Sequence, residues 1–177
     1  MVTIESLTTA SSPETLEAAR DLFRAYAGFL RTINACHGFD FKRFEQEILD
    51  LPHPYTGANG ELLLALADSK PAGCIAFRSL ARAAAASPAE PPSADPACEL
   101  KRLFVLPSHR GQGIAKSLVL TALDHARARG FRTAILDTEP STMQAANLLY
   151  RKLGFTEFDA QPASPSQGTV FLRKDLV

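Results

Sequence analysis

The chain has 177 residues, of which 46% are apolar and 21% are charged, and its 19 basic residues balance its 19 acidic residues. This composition is typical of a soluble globular protein and excludes collagen, coiled coil and wholesale disorder. A net charge of zero offers no electrostatic field that would attract nucleic acid or anionic lipid. No apolar run approaches the roughly 20 residues of a membrane span, and the first residues lack a signal-peptide pattern. We therefore predict a cytoplasmic protein with no nucleic-acid and no membrane partner.

The first half of the chain predicts a strand, two helices and a hairpin. Residues 2–7 form the strand, and Ser12-Pro13-Glu14 provides an N-cap, an early proline and an acidic first turn for a helix that ends near Gly38. A shorter helix with apolar residues at 41, 44 and 48 is broken by prolines at 52 and 54. Residues 61–67 and 72–80 flank a turn at 68–71 and predict a hairpin.

The second half alternates strands and helices. It predicts strands at 98–106, 133–138, 155–158 and 169–173, helices at 111–129 and 141–153, and a loop at 160–168. Residues 81–96 are mostly Ala and Pro with no large apolar side chain, so we predict a flexible loop at about 81–97 within a single domain that covers residues 1–177. The resulting order, β-α-α-β-β-β-α-β-α-β-β, predicts an α/β fold.

The cysteines and histidines argue against a metal site. Cys36, Cys74 and Cys98 are odd in number and lack Cys-x-x-Cys spacing, and no pair of histidines has metal-ligand spacing. We therefore predict three small buried cysteines, no disulfide framework and no metal cofactor.

A glycine-containing loop between a strand and a helix predicts an anion site. It comprises Arg110, Gly111, Gln112, Gly113, Ile114, Ala115 and Lys116. Backbone N–H groups at a helix N-terminus attract phosphate, and glycine lets a phosphate approach the backbone closely. The loop does not match a Walker A motif, which needs Gly directly before Lys-Ser, because Ala115 precedes Lys116-Ser117. A dinucleotide fingerprint needs Gly or Ala where Lys116 stands, although Asp137 follows at a suitable distance, so a dinucleotide-binding enzyme stays a weaker alternative.

Two motifs in this region resemble those of one family. Arg110, Gly113 and Ala115 match the pattern Arg/Gln-x-x-Gly-x-Gly/Ala, and residues 149–155, LYRKLGF, match Leu-Tyr-x-Lys-x-Gly-Phe about 40 residues later. In this order and spacing the motifs resemble the GCN5-related N-acetyltransferase (GNAT) family, which transfers acetyl from acetyl-CoA to an amine. The strong resemblance covers about a third of the chain, residues 98–158.

The resemblance implies a fold and a cofactor. The fold is a twisted mixed sheet with helices on both faces, splayed between its fourth and fifth strands. The cofactor is acetyl-CoA as co-substrate: residues 110–116 would hold its pyrophosphate, and the backbone of Leu103, Phe104 and Val105 would pair with pantetheine and the thioester carbonyl. A backbone N–H aimed at that carbonyl would stabilise the developing oxyanion.

The resemblance also implies catalytic residues. Tyr150 would protonate the departing thiolate; the alternative is a core aromatic residue. Glu99 would act as general base, because a protonated amine must lose a proton before it attacks; the alternative is an edge-strand ion pair with Lys101 or Arg102. Relatives often place a cofactor-contacting Asn where this chain has Met143, which puts that contact in doubt.

Acceptor and functional class stay open at this point. We expect a primary amine of a small molecule or peptide to bind between the first two helices and the loop at 160–168. Asp137 and Glu139 are candidates to hold its ammonium or to cap the next helix, whereas Asp40, Glu45, Glu47 and Asp50 are expected to form a solvated face. The leading function is N-acetyl transfer by direct attack in a ternary complex. The alternative is a non-catalytic CoA-binding module, and both a monomer and a homodimer are compatible with the sequence.

Overall fold

The computed structural model describes residues 1–33, 39–80, 96–159 and 168–176. Within these ranges the strands are β1 (Val2–Leu7), β2 (Gly60–Ala67), β3 (Lys70–Ser79), β4 (Ala97–Val105), β5 (Thr133–Thr138), β6 (Thr156–Glu157) and β7 (Val170–Asp175). The α-helices are α1 (Pro13–Thr32), α2 (Phe41–Asp50), α3 (Ile114–Ala128) and α4 (Gln144–Lys152). No helix in these ranges is long and apolar enough to cross a membrane.

The strands form one mixed sheet in the order β1-β2-β3-β4-β5-β7-β6. Its strand pairs are antiparallel except for β4 with β5, which run parallel. The element order and the mixed α/β fold predicted from the sequence are confirmed. One expectation about β4 was wrong: it lies between β3 and β5 and is therefore not an edge strand.

Helices cover both faces of the sheet and bury two apolar cores. Strand β2 shows the division, because Leu62 and Leu64 belong to the core under α1 and α2, whereas Leu63 and Ala65 belong to the core under α3 and α4. Successive side chains of a strand point to opposite faces, so a strand covered on both sides reads as a continuous apolar run. This is why residues 62–67 carry no polar alternation.

A bulge and a splay distinguish the middle of the sheet. Cys74 pairs with Phe104 and Ala76 with Lys101, so β4 uses one residue more than β3 over this step. Arg102, inside the bulge, has a φ of 60°, which costs an L-residue about 1–2 kcal/mol. Strands β4 and β5 pair over residues 97–99 and 133–135, and within the described residues their ladder ends there. The splay predicted between the fourth and fifth strands is therefore present.

Two helices begin later than the sequence predicted, for local reasons. Gly111 and Gly113 have φ values of 76° and 78°, outside the right-handed helical region, so α3 begins at Ile114 and not at 111. Met143, the N-cap residue of α4, has a φ of −115° and a ψ of 44°, outside the helical region, so α4 begins at residue 144 and not at 141. The predicted end of α1 and the loops at 81–95 and 160–167 lie outside the described residues.

Candidate active site

The loop of residues 111–116 places backbone donors beside an open space. Gly113 is the N-cap residue of α3, and no side chain of the described residues caps this helix. The N–H groups of its first turn therefore remain available, and the positive end of the helix dipole lies with them. A Cβ atom at Gly111 or Gly113 would meet nothing within 4 Å, so the glycines face free volume. This geometry suits an anion such as a phosphate.

A cavity of about 380 Å³, the loop cavity, lies between this loop, α1, β4 and the start of α4. The proposed cofactor residues line it, except for Gln112: Leu103, Phe104, Val105, Arg110, Gly111, Gly113, Ile114, Ala115 and Lys116. The guanidinium of Arg110 lies 4.8 Å from the ring centre of Phe29, and its Nε donates to the carbonyl of Val105 at 3.1 Å. Gln112 is exposed and donates to the carbonyl of Ser108 at 3.5 Å.

A second cavity of about 370 Å³, the charged cavity, lies between α1, α2, β3, β4 and the end of β5. Its basic lining residues are Arg43, Arg78, Lys101 and Arg102, and its acidic ones are Asp40, Glu47, Asp137 and Glu139. Because the four cations equal the four carboxylates among the described residues, this part of the lining favours neither a polycation nor a polyanion.

The two cavities meet at one place. Tyr26, Leu103, Met143 and Ala146 line both of them. Leu103 follows the bulge of β4, and Tyr150 lies one helical turn after Ala146 on α4 and lines the charged cavity. The junction therefore joins the glycine loop, the part of β4 that pairs with β3 but not with β5, and a tyrosine.

Tyr150 is a buried phenol at this junction. Its side chain is 7% exposed, and its ring packs against Phe155 with a centroid distance of 5.6 Å and an interplanar angle of 63°. Burial is the main reason that the pKa of Tyr150 lies well above its ordinary value, and Tyr26 and Asp137 add to it. Tyr150 therefore keeps its proton at neutral pH and can donate it.

Glu99 has both carboxylate oxygens in ion pairs. Lys101 Nζ and Arg78 Nε each donate to one of them at 2.8 Å. Burial opposes ionisation, but the two cations outweigh it and hold the pKa of Glu99 below its usual value. Among the described residues, Glu99 lines neither cavity, whereas both of its partners line the charged cavity. The ion pair with Lys101 expected from the sequence is present; Arg102 pairs elsewhere.

Arg102 and Glu47 form a buried pair that the sequence analysis missed. The Nε and NH2 atoms of Arg102 donate to the two oxygens of Glu47 at 2.8 and 2.7 Å, and the Tyr55 hydroxyl donates to Glu47 at 2.6 Å. The guanidinium also lies 4.4 Å from the ring centre of Phe44. The expectation that Glu47 belongs to a solvated face was wrong, because position 47 of α2 faces the bulge of β4 and its carboxylate is buried against Arg102.

Other candidate residues of the described chain do not line the two cavities. Cys74 and Cys98 are free and buried, as predicted, and burial raises the pKa of each thiol to about 12; Cys36 lies outside the described residues. Asn147 is buried on α4, accepts from Arg151 at 3.0 Å and lines neither cavity. In the described part of the chain, no cluster of His, Cys, Asp or Glu is suited to a metal ion.

Comparison with known proteins gives relatives along most of the chain. N-acetyltransferase 8F1 of Rattus norvegicus is 35% identical over 109 residues, which are 62% of this chain and 45% of that protein. The chain spans about half the length of the curated relatives it matches first.

Solved structures share the fold. A GNAT-family acetyltransferase of Staphylococcus aureus has a TM-score of 0.73 and 18% identity over 100% of both chains. The PaiA N-acetyltransferase of Thermoplasma acidophilum, solved in complex with coenzyme A, has a TM-score of 0.65 and 20% identity over 99% of both chains. The family model described as the acetyltransferase (GNAT) family matches residues 16–155. With the splayed sheet and the glycine loop in place, the chain belongs to the acetyltransferase (GNAT) family.

Proposed function

We propose that the protein transfers acetyl from acetyl-CoA to a primary amine by direct attack in a ternary complex. The observation that carries this proposal is the junction of the loop cavity with the charged cavity at Leu103, Met143 and Ala146. A cofactor bound in the loop cavity would place its thioester at this junction, where an amine in the charged cavity could reach it. Tyr150 lies beside it with its proton retained.

The cofactor assignment rests on the loop cavity. The pyrophosphate would bind the N–H groups of residues 111–116, with the cations of Arg110 and Lys116 nearby. Pantetheine would run along Leu103–Val105, on the β4 edge that has no ladder partner after the splay. The relative from Thermoplasma acidophilum, which was solved with coenzyme A, supports this choice of ligand.

The chemical step needs few groups from the protein. The amine nitrogen attacks the thioester carbon, the C–N bond forms, and the C–S bond breaks with its electron pair going to sulfur. The N–H groups after the bulge would stabilise the oxyanion, and the Tyr150 hydroxyl would donate a hydrogen bond and then a proton to the departing thiolate. We keep Glu99 as the candidate general base, although its ion pairs lower its basicity.

Ligand binding provides the first test. Acetyl-CoA at about one hundred times its dissociation constant stabilises a protein by about 2.7 kcal/mol, so Tm rises by several degrees in a chain of this size. We expect this shift with acetyl-CoA and none with NAD, and Gly113→Glu should abolish it by placing a carboxylate at the phosphate site. An equal shift with NAD, or no shift with acetyl-CoA, would reject the cofactor assignment.

Turnover provides the second test. With a panel of amines, Tyr150→Phe should lower kcat by about 10²- to 10⁴-fold and leave the acetyl-CoA shift in Tm intact. Thr133→Val is the matched control, since it also removes a single hydroxyl, from a half-buried side chain that lines neither cavity; its kcat should stay within about threefold of the unmodified protein. Binding of acetyl-CoA without turnover of any amine would instead favour the non-catalytic CoA-binding module.

A further inference from the structure

The charged cavity has two poles on opposite sides of the gap between β4 and β5. The last ladder pair joins Glu99 to Ile135, and Lys101 and Asp137 each follow two residues later. Both line the cavity, on strands that have separated. The gap therefore has a cation on its β4 side and a carboxylate on its β5 side.

The β4 side carries net positive charge. Arg78 and Lys101 share a single carboxylate, that of Glu99, which leaves one uncompensated positive charge in this group. A guanidinium has five N–H donors and an ammonium has three, so one bond each to Glu99 leaves both side chains able to bind a further anion. Arg102 does not add to this pole, because its charge is matched by Glu47 in a bidentate pair.

The β5 side carries net negative charge. Asp137 is the penultimate residue of β5 and is exposed, and Glu139, the first residue after the strand, accepts from Ser141 with one oxygen. Within the described residues, the ion pairs involve neither of them. Asp137 is also near enough to Tyr150 to raise its pKa, so this pole lies close to the catalytic junction.

A buried hydroxyl next to the acidic pole has no hydrogen-bond partner among the described residues. Thr138 lines the charged cavity and is 4% exposed, and its Oγ1 makes no hydrogen bond within the described structure. Buried polar groups in native proteins are nearly always hydrogen-bonded, so an unpaired one in a cavity wall indicates a polar ligand group.

We propose that the acceptor amine carries an anionic group, as an α-amino acid does, and binds with its amine toward Asp137 and Glu139 and its carboxylate on Arg78 and Lys101. This inference rests on the proposed acetyl transfer and adds the substrate class. The balanced lining supports it, because a zwitterion matches two opposed poles, whereas a polyamine would leave Arg78 and Lys101 facing like charge.

The test compares acceptors that differ in a single charge. The rate of CoA release is measured with L-α-amino acids, each paired with its own primary carboxamide, and with 1,4-diaminobutane as a dication. We expect kcat/KM to be at least about tenfold higher for the acids, a factor worth about 1.4 kcal/mol. The carboxamides have the less basic amines and are therefore less protonated at neutral pH, so intrinsic reactivity runs against this expectation.

A substitution of Arg78 then tests whether the preference for acids over carboxamides arises from the β4 side of the cavity. Arg78→Gln should lower the acid-to-amide ratio of kcat/KM at least about fivefold, mainly through KM for the acid, and Arg78→Lys should restore part of it. This ratio cancels any general effect of the variant on folding or on Glu99, because both acceptors meet the same protein. Arg132→Gln, an exposed arginine that lines neither cavity, is the matched control and should leave the ratio unchanged.

Failure of this inference can be told from failure of the proposed function. If the carboxamides or the diamine are acetylated as fast as the acids, the anionic-acceptor class is overturned, while acetyl transfer itself stands. An unchanged ratio in Arg78→Gln would overturn the assigned pole. If acetyl-CoA binds but no amine of any class is acetylated, the proposed function itself fails.

Discussion

Removing the Glu47 carboxylate should cost far more stability than removing a surface carboxylate. Glu47 and Arg102 are 15% and 13% exposed, and two hydrogen bonds of 2.7 and 2.8 Å join them. Glu47→Gln would leave the guanidinium charge buried without its carboxylate partner, among neutral groups such as the rings of Phe39 and Phe44. Breaking a buried pair in this way typically costs about 3–5 kcal/mol.

Urea unfolding at pH 7 measures this loss, and a drop in Tm of roughly 6–20 °C should accompany it in a chain of this size. Asp21→Asn is the matched control: its pair with Arg24 has the same 2.7 Å distance, but the two side chains are 70% and 49% exposed. Exposed pairs contribute about 0.2–1 kcal/mol. A loss in Glu47→Gln no larger than in Asp21→Asn would refute the reasoning.

The same pair predicts a pH dependence. Burial would raise the pKa of Glu47, but the hydrogen bonds and charge of Arg102 outweigh it, so the folded-state pKa lies below the unfolded value of about 4.3. The stabilisation is therefore complete above the unfolded pKa and is lost as pH falls through the folded one. Glu47→Gln should flatten this acid limb, and an unchanged limb would contradict the assignment.

The remaining predictions concern three other features. If Glu99 is the base, Glu99→Gln should lower kcat by about 10²- to 10⁴-fold and regain rate as pH approaches the pKa of the amine; a uniform loss across pH would indicate a structural ion pair. The Glu61 side chain is 6% exposed, is hydrogen-bonded to His125 at 2.8 Å and has a lowered pKa. Glu61→Gln should therefore lower the free energy of unfolding by roughly 1.5–3 kcal/mol at pH 7 and by less below about pH 4, which unfolding curves at both pH values measure. Gly28→Ala places its Cβ in open space on α1 and should stabilise the protein by about 0.5–1 kcal/mol. Gly60→Ala would place its Cβ 2.6 Å from a backbone oxygen and should destabilise the protein by about 1–3 kcal/mol. The opposite order of the two variants in thermal unfolding would contradict this packing.

Local patterns predicted most of the fold. The bounds predicted for β1 and β5 agree with the structure, because each is a short run of strand-forming residues between turn residues. The helix starts failed where the backbone depends on more than periodicity. Gly111 and Gly113 adopt positive φ values, and Met143 has a backbone conformation outside the helical region, and apolar spacing reveals neither.

The glycine loop and Tyr150 could be selected as candidates from the sequence because each lies in a short contiguous motif. The partners of charged residues were not, since they depend on register. Arg78 reaches Glu99 because β3 and β4 place them opposite each other, and Glu47 reaches Arg102 across 55 residues of sequence. Sequence patterning identified the acidic positions of α2, but only the packing of α2 against the bulge shows which of them is buried.

The pair of Glu47 and Arg102 also explains how a strained backbone persists at the centre of the site. A φ of 60° costs about 1–2 kcal/mol, and a buried bidentate pair that is lost without the bulge offsets this cost. The residue after Arg102 is Leu103, which lines both cavities. Through this pair, helix α2 is attached to the bulge of β4 immediately before a residue that the two cavities share.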